Sequence, residues 1–196
     1  IFEINSTLTF QSTIQASDGM ANDNFGYDLD VKDNMIVVGA PGAGDTVNGF
    51  DSGASYIFEP NDSGLWVETQ KIAPSTLSAG DRFGCSVRIS ENFIFIGAVK
   101  GDDDGVDTGV VYIFEKIEGV WTEVALVSPP TSTANQLFST DLQSSGDLLI
   151  SSAPGAGSHG MVYVYQNLET SHDWILISSL DLNQSTVLAG ASTYLP

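Results

Sequence analysis

The fold is decided by residues 25–58, which read FGYDLDVKDNMIVVGAPGAGDTVNGFDSGASYIF. The stretch opens on a Phe-Gly pair, continues with alternating apolar residues, and reaches an apolar run from Met35 to Val38. Alternation with a period of two predicts a half-buried strand, and a short continuous apolar run predicts a strand covered on both faces. Gly, Asp, Asn and Ser are clustered between the runs, where they favour turns. The stretch therefore predicts short antiparallel strands joined by tight turns.

The landmarks of this stretch return twice further along the chain, in the same order. The Phe landmark returns after 58 and again after 55 residues, and the apolar run, a Tyr-containing strand and a Trp come after it each time. A period of about 50 to 60 residues with four strands has the size of one β-propeller blade. The matching positions are Phe25, Phe83 and Phe138, then Gly39, Gly97 and Ser152, then Tyr56, Tyr112 and Tyr163, and finally Trp66, Trp121 and Trp174.

The predicted fold class is all-β, with β-propeller blades of four antiparallel strands: three full blades plus partial blades at both ends. The first residues, Ile1-Phe2-Glu3, match the third strand at residues 57–59, so the chain begins in the middle of a repeat. At the other end, residues 187–192 resemble residues 36–41, but no Phe-Gly pair precedes them. The predicted units are residues 1–17 (the second half of a partial blade), 18–75, 76–131 and 132–180 (full blades), and 181–196 (a partial blade or closing strand).

Composition limits the classes of partner. The chain has 196 residues with 25 acidic and 6 basic side chains, so its net charge is −19. Six scattered bases cannot neutralise a run of phosphates, which argues against nucleic acid and against an anionic membrane surface. No apolar run approaches the roughly 20 residues that a membrane helix needs. The charge instead favours cations or basic protein partners, and the 42% of apolar residues indicates a folded chain.

The landmarks resemble the FG-GAP repeat, the blade unit of β-propellers of the integrin-α type. In the first unit, the resemblance is carried by Ala16-Ser17-Asp18-Gly19, Phe25-Gly26, Val38-Gly39-Ala40-Pro41-Gly42, Asp51-Ser52-Gly53 and Tyr56-Ile57-Phe58. The second unit matches through residues 80–84 and 107–109, whereas in the third unit Ser139 and Ser152 replace glycines of the pattern. The resemblance implies a propeller, an extracellular or cell-surface location, and a role in adhesion or recognition.

Propellers of this family usually have seven blades, and this chain carries about three and a half. Three interpretations are open. The chain is a segment of a longer one, its partial ends join into a fourth blade, or several copies complete each other. Ile1 supplies a third-strand landmark and Gly190-Ala191 a second-strand landmark, and these are adjacent strands of one blade. A split blade would either close a small ring or link molecules head to tail.

Acidic residues concentrate in the turn between the second and third strands of the first two units. Calcium takes six to eight oxygen ligands, and integrin-type blades bind it in the equivalent hairpin. Calcium is therefore the predicted cofactor, although each loop is shorter after its Gly than the integrin pattern, and the third unit has no acid there. The alternative is a solvated turn in which Asp and Asn serve the backbone geometry. The predicted metal ligands are Asp45, Asn48 and Asp51 in the first unit and Asp102, Asp104 and Asp107 in the second.

Other candidate positions are weaker. Three N-x-S/T sequons, at Asn5, Asn61 and Asn183, predict glycosylation if the source is a secreting eukaryote. Asp23 and Asp81, which precede each Phe landmark, are predicted to tie the incoming loop to backbone amides. The Trp series is predicted to pack between blades, with a sugar-stacking platform as the alternative.

No catalytic residues are predicted, and the chain is expected not to be an enzyme. His159 and His172 lie in turn-like contexts with no recurring acid or nucleophile beside them, and Cys85 is expected to be a small buried or half-buried residue. The predicted function is an extracellular adhesion or structural scaffold, which would be a filament subunit if copies join. Its expected partners are other protein chains or copies of itself. The alternatives are a lectin-like module that binds glycans and the accessory propeller of a larger extracellular hydrolase.

Overall fold

The computed structural model describes residues 1–5, 7–10, 12–102, 106–168 and 172–181. Within these residues the secondary structure is entirely β, and no helix long and apolar enough to cross a membrane occurs among them. The strands are β1 (Phe2–Asn5), β2 (Thr7–Phe10), β3 (Leu29–Lys32), β4 (Met35–Ala40), β5 (Ala54–Pro60), β6 (Trp66–Ile72), β7 (Phe83–Ile89), β8 (Phe93–Ala98), β9 (Val110–Ile117), β10 (Val120–Val127), β11 (Leu142–Ser145), β12 (Leu148–Ala153), β13 (Met161–Asn167) and β14 (Trp174–Asp181).

The strands form three four-stranded sheets and one two-stranded pair. The first sheet contains β3 to β6, the second β7 to β10 and the third β11 to β14, and each strand pairs with its sequence neighbour. All pairings within these sheets are antiparallel, and β1 pairs in the same way with β2. The prediction of all-β, four-stranded antiparallel units is confirmed. The sheets are blade-like and consistent with a β-propeller, while the predicted C-terminal partial blade lies almost wholly outside the described residues.

The Phe of each Phe-Gly landmark packs edge-on against two aromatic residues of the third strand in its own sheet. The ring centre of Phe83 lies 5.2 Å from that of Tyr112 and 6.2 Å from that of Phe114. The same pair of contacts joins Phe25 to Tyr56 and Phe58, and Phe138 to Tyr163 and Tyr165. T-shaped contacts of this kind stabilise beyond the area that they bury. The repeated aromatic triad therefore fixes the Phe-Gly segment of each unit to its own sheet.

Two of the hydrophobic clusters lie between neighbouring sheets. Val37 and Ile57 of the first sheet pack in one cluster with Val87 and Trp121 of the second. A second cluster joins residues of the second and third sheets, among them Phe95, Val111, Phe138 and Leu142. At both of these interfaces the two neighbouring sheets therefore bury their apolar residues jointly, which is the expected behaviour of stacked repeats.

Glycines permit the close approach of one sheet to the next. A Cβ atom placed on Gly39 of β4 would overlap the carbonyl group of Gly84, which belongs to the Phe-Gly pair of the second unit. A Cβ on Gly97 of β8 would likewise stand 2.8 Å from the carbonyl oxygen of Ser139, at the matching position of the third unit. The second strands of the first two sheets thus contact the Phe-Gly loop of the following sheet through backbone. This contact explains why glycine recurs at the Gly-Ala landmark.

A short ladder of backbone hydrogen bonds accompanies each of these contacts. The N–H groups of Gly80, Arg82 and Phe83 donate to the carbonyl oxygens of Phe50, Asp51 and Ser52, at 3.0, 3.0 and 2.9 Å. Between the second and third sheets, the N–H groups of Asn135, Leu137 and Phe138 donate to the carbonyl oxygens of Val106, Asp107 and Thr108. The hairpin between the second and third strands therefore docks on the loop that leads into the next sheet.

Gly39→Ala should destabilise the protein strongly. The added methyl group has no room beside the Gly84 carbonyl group, so the first two sheets must move apart and lose buried contacts. We expect a loss of about 3 kcal/mol in the free energy of unfolding, measured by urea denaturation. Gly19→Ala is the matched control, because a Cβ there would make only ordinary contacts of 3.4 and 3.5 Å with Ala16. Equal stabilities of the two variants would contradict the glycine contact.

Candidate functional site

The first acidic hairpin is organised by Asp45. Its Oδ1 atom accepts the backbone N–H groups of Val47 at 2.8 Å and Asn48 at 2.6 Å, and these bonds hold the pKa of the Asp45 carboxyl below its usual value. The buried Asn48 side chain donates to Asp45 Oδ2 and to the carbonyl oxygen of Pro74, at 3.4 and 3.3 Å. The Oδ1 atom of Asn48 accepts no hydrogen bond from the described residues. A buried carbonyl oxygen without a donor beside a carboxylate is compatible with a bound cation.

The second acidic hairpin has a different set of contacts. The Oδ1 atom of Asp102 accepts the backbone N–H of Asp107 at 2.6 Å, and the Asp107 carboxylate lies 3.4 Å from the ammonium group of Lys100. Asp104, a predicted ligand of this hairpin, lies outside the described residues, as do its two neighbours. The structure therefore brings Asp102 and Asp107 together and leaves the position of Asp104 open.

Asp51 and Asp107 have a backbone role that the sequence did not reveal. Both adopt positive φ angles, of 55° and 52°, and their carbonyl oxygens accept the inter-sheet bonds from Arg82 and Leu137. Asp tolerates the left-handed region better than most residues. The Asp-Ser-Gly and Asp-Thr-Gly motifs therefore shape the docking edge of each hairpin, whether or not the carboxylates also bind a cation.

No group of three or more His, Cys, Asp or Glu side chains in the described part of the chain is arranged to hold a metal ion. Calcium takes backbone and amide oxygens as well as carboxylates, so a site built partly from Asn48 or from carbonyl groups falls outside that count. The calcium site thus stays a prediction. The unpartnered oxygen of Asn48 supports it in the first hairpin, and the crowded acids support it in the second.

Asp23 and Asp81 have the capping role that the sequence predicted. The carboxylate of Asp23 accepts the N–H of Met20 at 2.8 Å, and that of Asp81 accepts the N–H of Ser78 at the same distance. Asp81 is buried, and its desolvation, with a smaller contribution from Asp102 and Asp107, raises the pKa of its carboxyl. Asp102 and Asp107 of the second hairpin therefore repel the Asp81 carboxylate, which is an electrostatic cost that a bound cation would relieve.

An arginine that sequence reasoning did not single out links the first strand of the second sheet to the residues that immediately precede the first strands of the other two sheets. The Asp28 carboxylate accepts the N–H of Val87 at 2.8 Å and binds the guanidinium group of Arg88 at 2.8 Å. The other end of the same guanidinium lies 3.1 Å from the carboxylate of Asp141 in the third unit. Arg88 is one of only six bases in the chain, and its position between two acids of different sheets is visible only once the strands are stacked.

Trp121 and Trp174 pack between sheets, as the preferred interpretation of the sequence predicted, whereas Trp66 packs partly buried on the cluster of its own sheet. Trp121 is only 8% exposed, and Gln70 of the first sheet exchanges hydrogen bonds with its backbone at 2.8 and 2.9 Å. Trp174 packs edge-on against Phe93 and Phe95 of the second sheet, with ring centres 5.5 and 5.2 Å apart. The Trp121 ring is buried and the Trp174 ring is engaged by two Phe rings, so neither position gives an open platform for the lectin alternative.

An open groove of about 360 Å³ lies where the turns of the first and second sheets meet. Its charged groups are partly paired, since the ammonium group of Lys116 lies 2.8 Å from the Glu59 carboxylate and 5.9 Å from the Trp121 ring centre.

Cys85 lies outside this groove and is buried, and burial raises the pKa of its thiol to about 11. A thiol with that pKa is a poor nucleophile at neutral pH, in accord with the expected structural role.

The sequons differ in how far the structure describes them. Asn61 lies in the exposed turn between β5 and β6, where its Oδ1 atom accepts the N–H groups of Ser63 and Leu65, both at 3.0 Å. These bonds leave its side-chain nitrogen free for a glycan. Asn5 is the last residue of β1, and Asn183 lies outside the described residues.

The repeated sheets, the aromatic triads and the glycine contacts together define a protein built of propeller-type blades. A comparison with protein families matches the FG-GAP repeat at residues 8–58 and 66–114, just over half of the chain. The chain belongs to the FG-GAP repeat family, as its resemblance predicted. The match leaves out the third unit, in which Ser139 and Ser152 replace glycines. No curated protein matches the chain.

Asp81→Asn should stabilise the protein at neutral pH and leave it unchanged in acid. The folded state raises the pKa of Asp81, so ionisation of this carboxyl costs stability as the pH rises through its folded pKa. The amide keeps the bond to Ser78 and removes that cost. The measurement is the free energy of unfolding from pH 3 to pH 7, and Asp23→Asn, at the half-exposed equivalent site, should gain less. A gain for Asp81→Asn that is the same at every pH would contradict the electrostatic cause.

Proposed function

We propose that this protein is an extracellular scaffold module that mediates adhesion through its blade edges and loops. The observation that supports the proposal is the FG-GAP repeat match, because these repeats are typical of extracellular and cell-surface proteins and suggest an integrin-like propeller module. Most of the recurring residues lie at the contacts between neighbouring sheets. The acidic hairpins lie at the edges of these contacts. Such an arrangement suits a rigid body that presents loops to a partner.

The partner that fits best is another protein with a basic surface. The net charge of −19 favours association with positive patches and steers them toward the acidic hairpins. Two exposed apolar residues lie in the hairpins, Phe50 in the first and Val106 in the second. A partner that covered them would gain stability from the burial of apolar surface. Acidic loops with an apolar tip suit a mixed electrostatic and hydrophobic contact.

Three narrower functions remain as competitors. The filament subunit requires copies to join through their uncovered sheet faces. The lectin-like module requires a sugar platform elsewhere than at Trp121 and Trp174, whose side chains lie between sheets. The accessory propeller of an extracellular hydrolase requires a catalytic part outside these residues. The scaffold proposal covers the features that all three would share.

We expect beads coated with the folded protein to attach to cell surfaces, and beads coated with Gly39→Ala to attach less, since that variant loses the inter-sheet contact. Flow cytometry of bead–cell pairs measures the attachment. Equal attachment of the wild-type protein and the Gly39→Ala variant would contradict the adhesion proposal. Competition by free sugars would indicate the lectin alternative, and clustering of beads without cells would indicate the filament alternative.

Calcium should stabilise the wild-type protein, because it would neutralise the acids of the second hairpin and provide a partner for the Asn48 oxygen. At a calcium concentration 100 times the Kd, the gain is about 2.7 kcal/mol. Asp104→Ala combined with Asp107→Ala should abolish most of this gain in melting temperature. Asp62→Ala combined with Glu91→Ala removes two exposed acids elsewhere and should keep it. A melting temperature that is the same in calcium and in chelator would refute the calcium site.

A further inference from the structure

The groove between the first two sheets already holds one cation of the protein itself, the ammonium group of Lys116. This group lies 2.8 Å from the Glu59 carboxylate and 5.9 Å from the centre of the Trp121 ring. Lys116 and Trp121 are paired across β9 and β10, whereas Glu59 belongs to β5 of the first sheet. A carboxylate and an aromatic ring each attract an organic cation. The two sheets therefore build a place for such a cation, termed the Glu59–Trp121 site.

The contact that Lys116 makes in this site is weak. The side chain of Lys116 is 40% exposed and that of Glu59 is 30% exposed. An ion pair between side chains that are this exposed is screened by solvent and contributes little to stability. A Lys116 side chain that leaves the site can turn into water at small cost. A cation from another molecule can therefore take its place.

The groove has room for an incoming side chain because its floor lacks two aromatic rings. Between the second and third sheets, Trp174 packs edge-on against two Phe rings, with ring centres 5.5 and 5.2 Å away. Trp121 holds the matching position in the first contact, where Met35 and Val37 match the two Phe residues. Without these rings the first contact keeps a groove of about 360 Å³. This volume is near the lower end of the roughly 300 to 1,000 Å³ of ligand pockets, so it suits a single side chain with its backbone.

Acidic residues outnumber basic ones along the groove. The acidic ones are Asp33, Glu59, Glu91 and Glu115, and the basic ones are Lys32 and Lys116. Asp33 and Glu91 are exposed, and in the described part of the chain neither forms an ion pair. The net charge of −19 adds to the attraction of positive groups. An approaching cation therefore meets uncompensated negative charge at the groove.

The Trp121 indole favours a peptide over a free cation. Trp121 lines the groove and is 8% exposed, and its indole N–H has no hydrogen-bond acceptor among the described residues. Buried donors in native proteins are normally paired with an acceptor. A peptide carries carbonyl oxygens beside its charged side chain. A peptide segment in the groove would therefore bring both a cation and acceptors of the kind that the indole lacks.

We propose that the Glu59–Trp121 site binds an arginine side chain of a basic protein partner, which displaces Lys116. This inference rests on the proposed function, since it names one contact of the partner argued for there. Arginine fits better than lysine because its planar guanidinium group stacks on an aromatic ring and donates two parallel N–H groups to a carboxylate. It is also more weakly hydrated than an ammonium group, which lowers the cost of entering the groove.

An NMR titration of the full chain with a blocked glycyl-arginyl-glycine peptide tests the proposal. We expect a saturable shift of the indole N–H resonance of Trp121. The same peptide with citrulline in place of arginine has nearly the same shape but no charge, and it should give no such shift. The indole resonance of Trp174, which lies at the next contact between sheets, should stay unchanged with both peptides.

Two charge variants distinguish the site from a general attraction. Lys116→Met should tighten binding of the arginine peptide about fivefold, because it removes the resident cation and keeps an apolar stem. Lys71→Met is the matched control, since Lys71 lies 5.5 Å from the Tyr56 ring centre and 2.6 Å from the Asp18 carboxylate, outside the groove. It changes the net charge equally and should alter the affinity less than about twofold. Glu59→Gln should weaken binding about fivefold.

Met35→Phe tests the space itself. The new ring takes the position that Phe93 holds in the second sheet, so it should fill the groove and weaken binding about tenfold. An unchanged Trp174 resonance shows that each variant is folded. If a variant does not fold, the comparison of the arginine and citrulline peptides on the wild-type protein decides the matter.

Three results would overturn the proposal. They are the absence of a saturable shift at Trp121, equal binding of the citrulline peptide, and equal tightening by Lys116→Met and Lys71→Met. The last result would mean that only the net charge attracts the peptide. Beads that fail to attach to cells while the arginine peptide binds would contradict adhesion and leave this site intact. Attachment without peptide binding would contradict the site alone.

Discussion

The structure depends on the backbone contact between the second strand of one sheet and the Phe-Gly loop of the next. At Gly39 and Gly84 the two segments approach so closely that no side chain fits between them. Three inter-sheet hydrogen bonds from the same loop fix the register of the contact. Because the apolar clusters form between sheets, their burial requires this spacing. The glycines, the hairpin and the core therefore all belong to one repeated contact between sheets, termed the inter-sheet joint.

The same joint gives the acidic hairpins a second role. Their Asp-Ser-Gly and Asp-Thr-Gly motifs supply the carbonyl groups that receive the next sheet, with Asp51 and Asp107 in the left-handed region. The side chain of Asp51 is exposed, while the Asp107 carboxylate lies near Lys100 and near Asp81. A cation bound there would act directly beside the joint. Calcium binding and blade stacking would then be coupled through the same few residues.

Much of the fold could be predicted from the sequence, because the same landmark residues occur in the same order in three successive units. The strand pattern, the caps at Asp23 and Asp81 and the inter-sheet place of Trp121 and Trp174 were all predictable from residue types at recurring positions. The ion pairs of Arg88 could not be predicted, since its matching positions are Asp30 and Gln143 and no pattern recurs. The backbone role of Asp51 was also hidden, because an Asp in a Gly-containing turn fits a metal ligand equally well.

By itself, the sequence determined the four-stranded unit, the order of its strands and the family, because alternation, glycine placement and aromatic spacing are local properties. Only the tertiary structure decided which groups of different units meet. The Gly39–Gly84 contact, the bridge from Asp28 through Arg88 to Asp141, and the exposure of Leu29 all depend on how one sheet lies against the next. The ion pairs join residues 60 and 53 positions apart, and no local pattern records such a pairing.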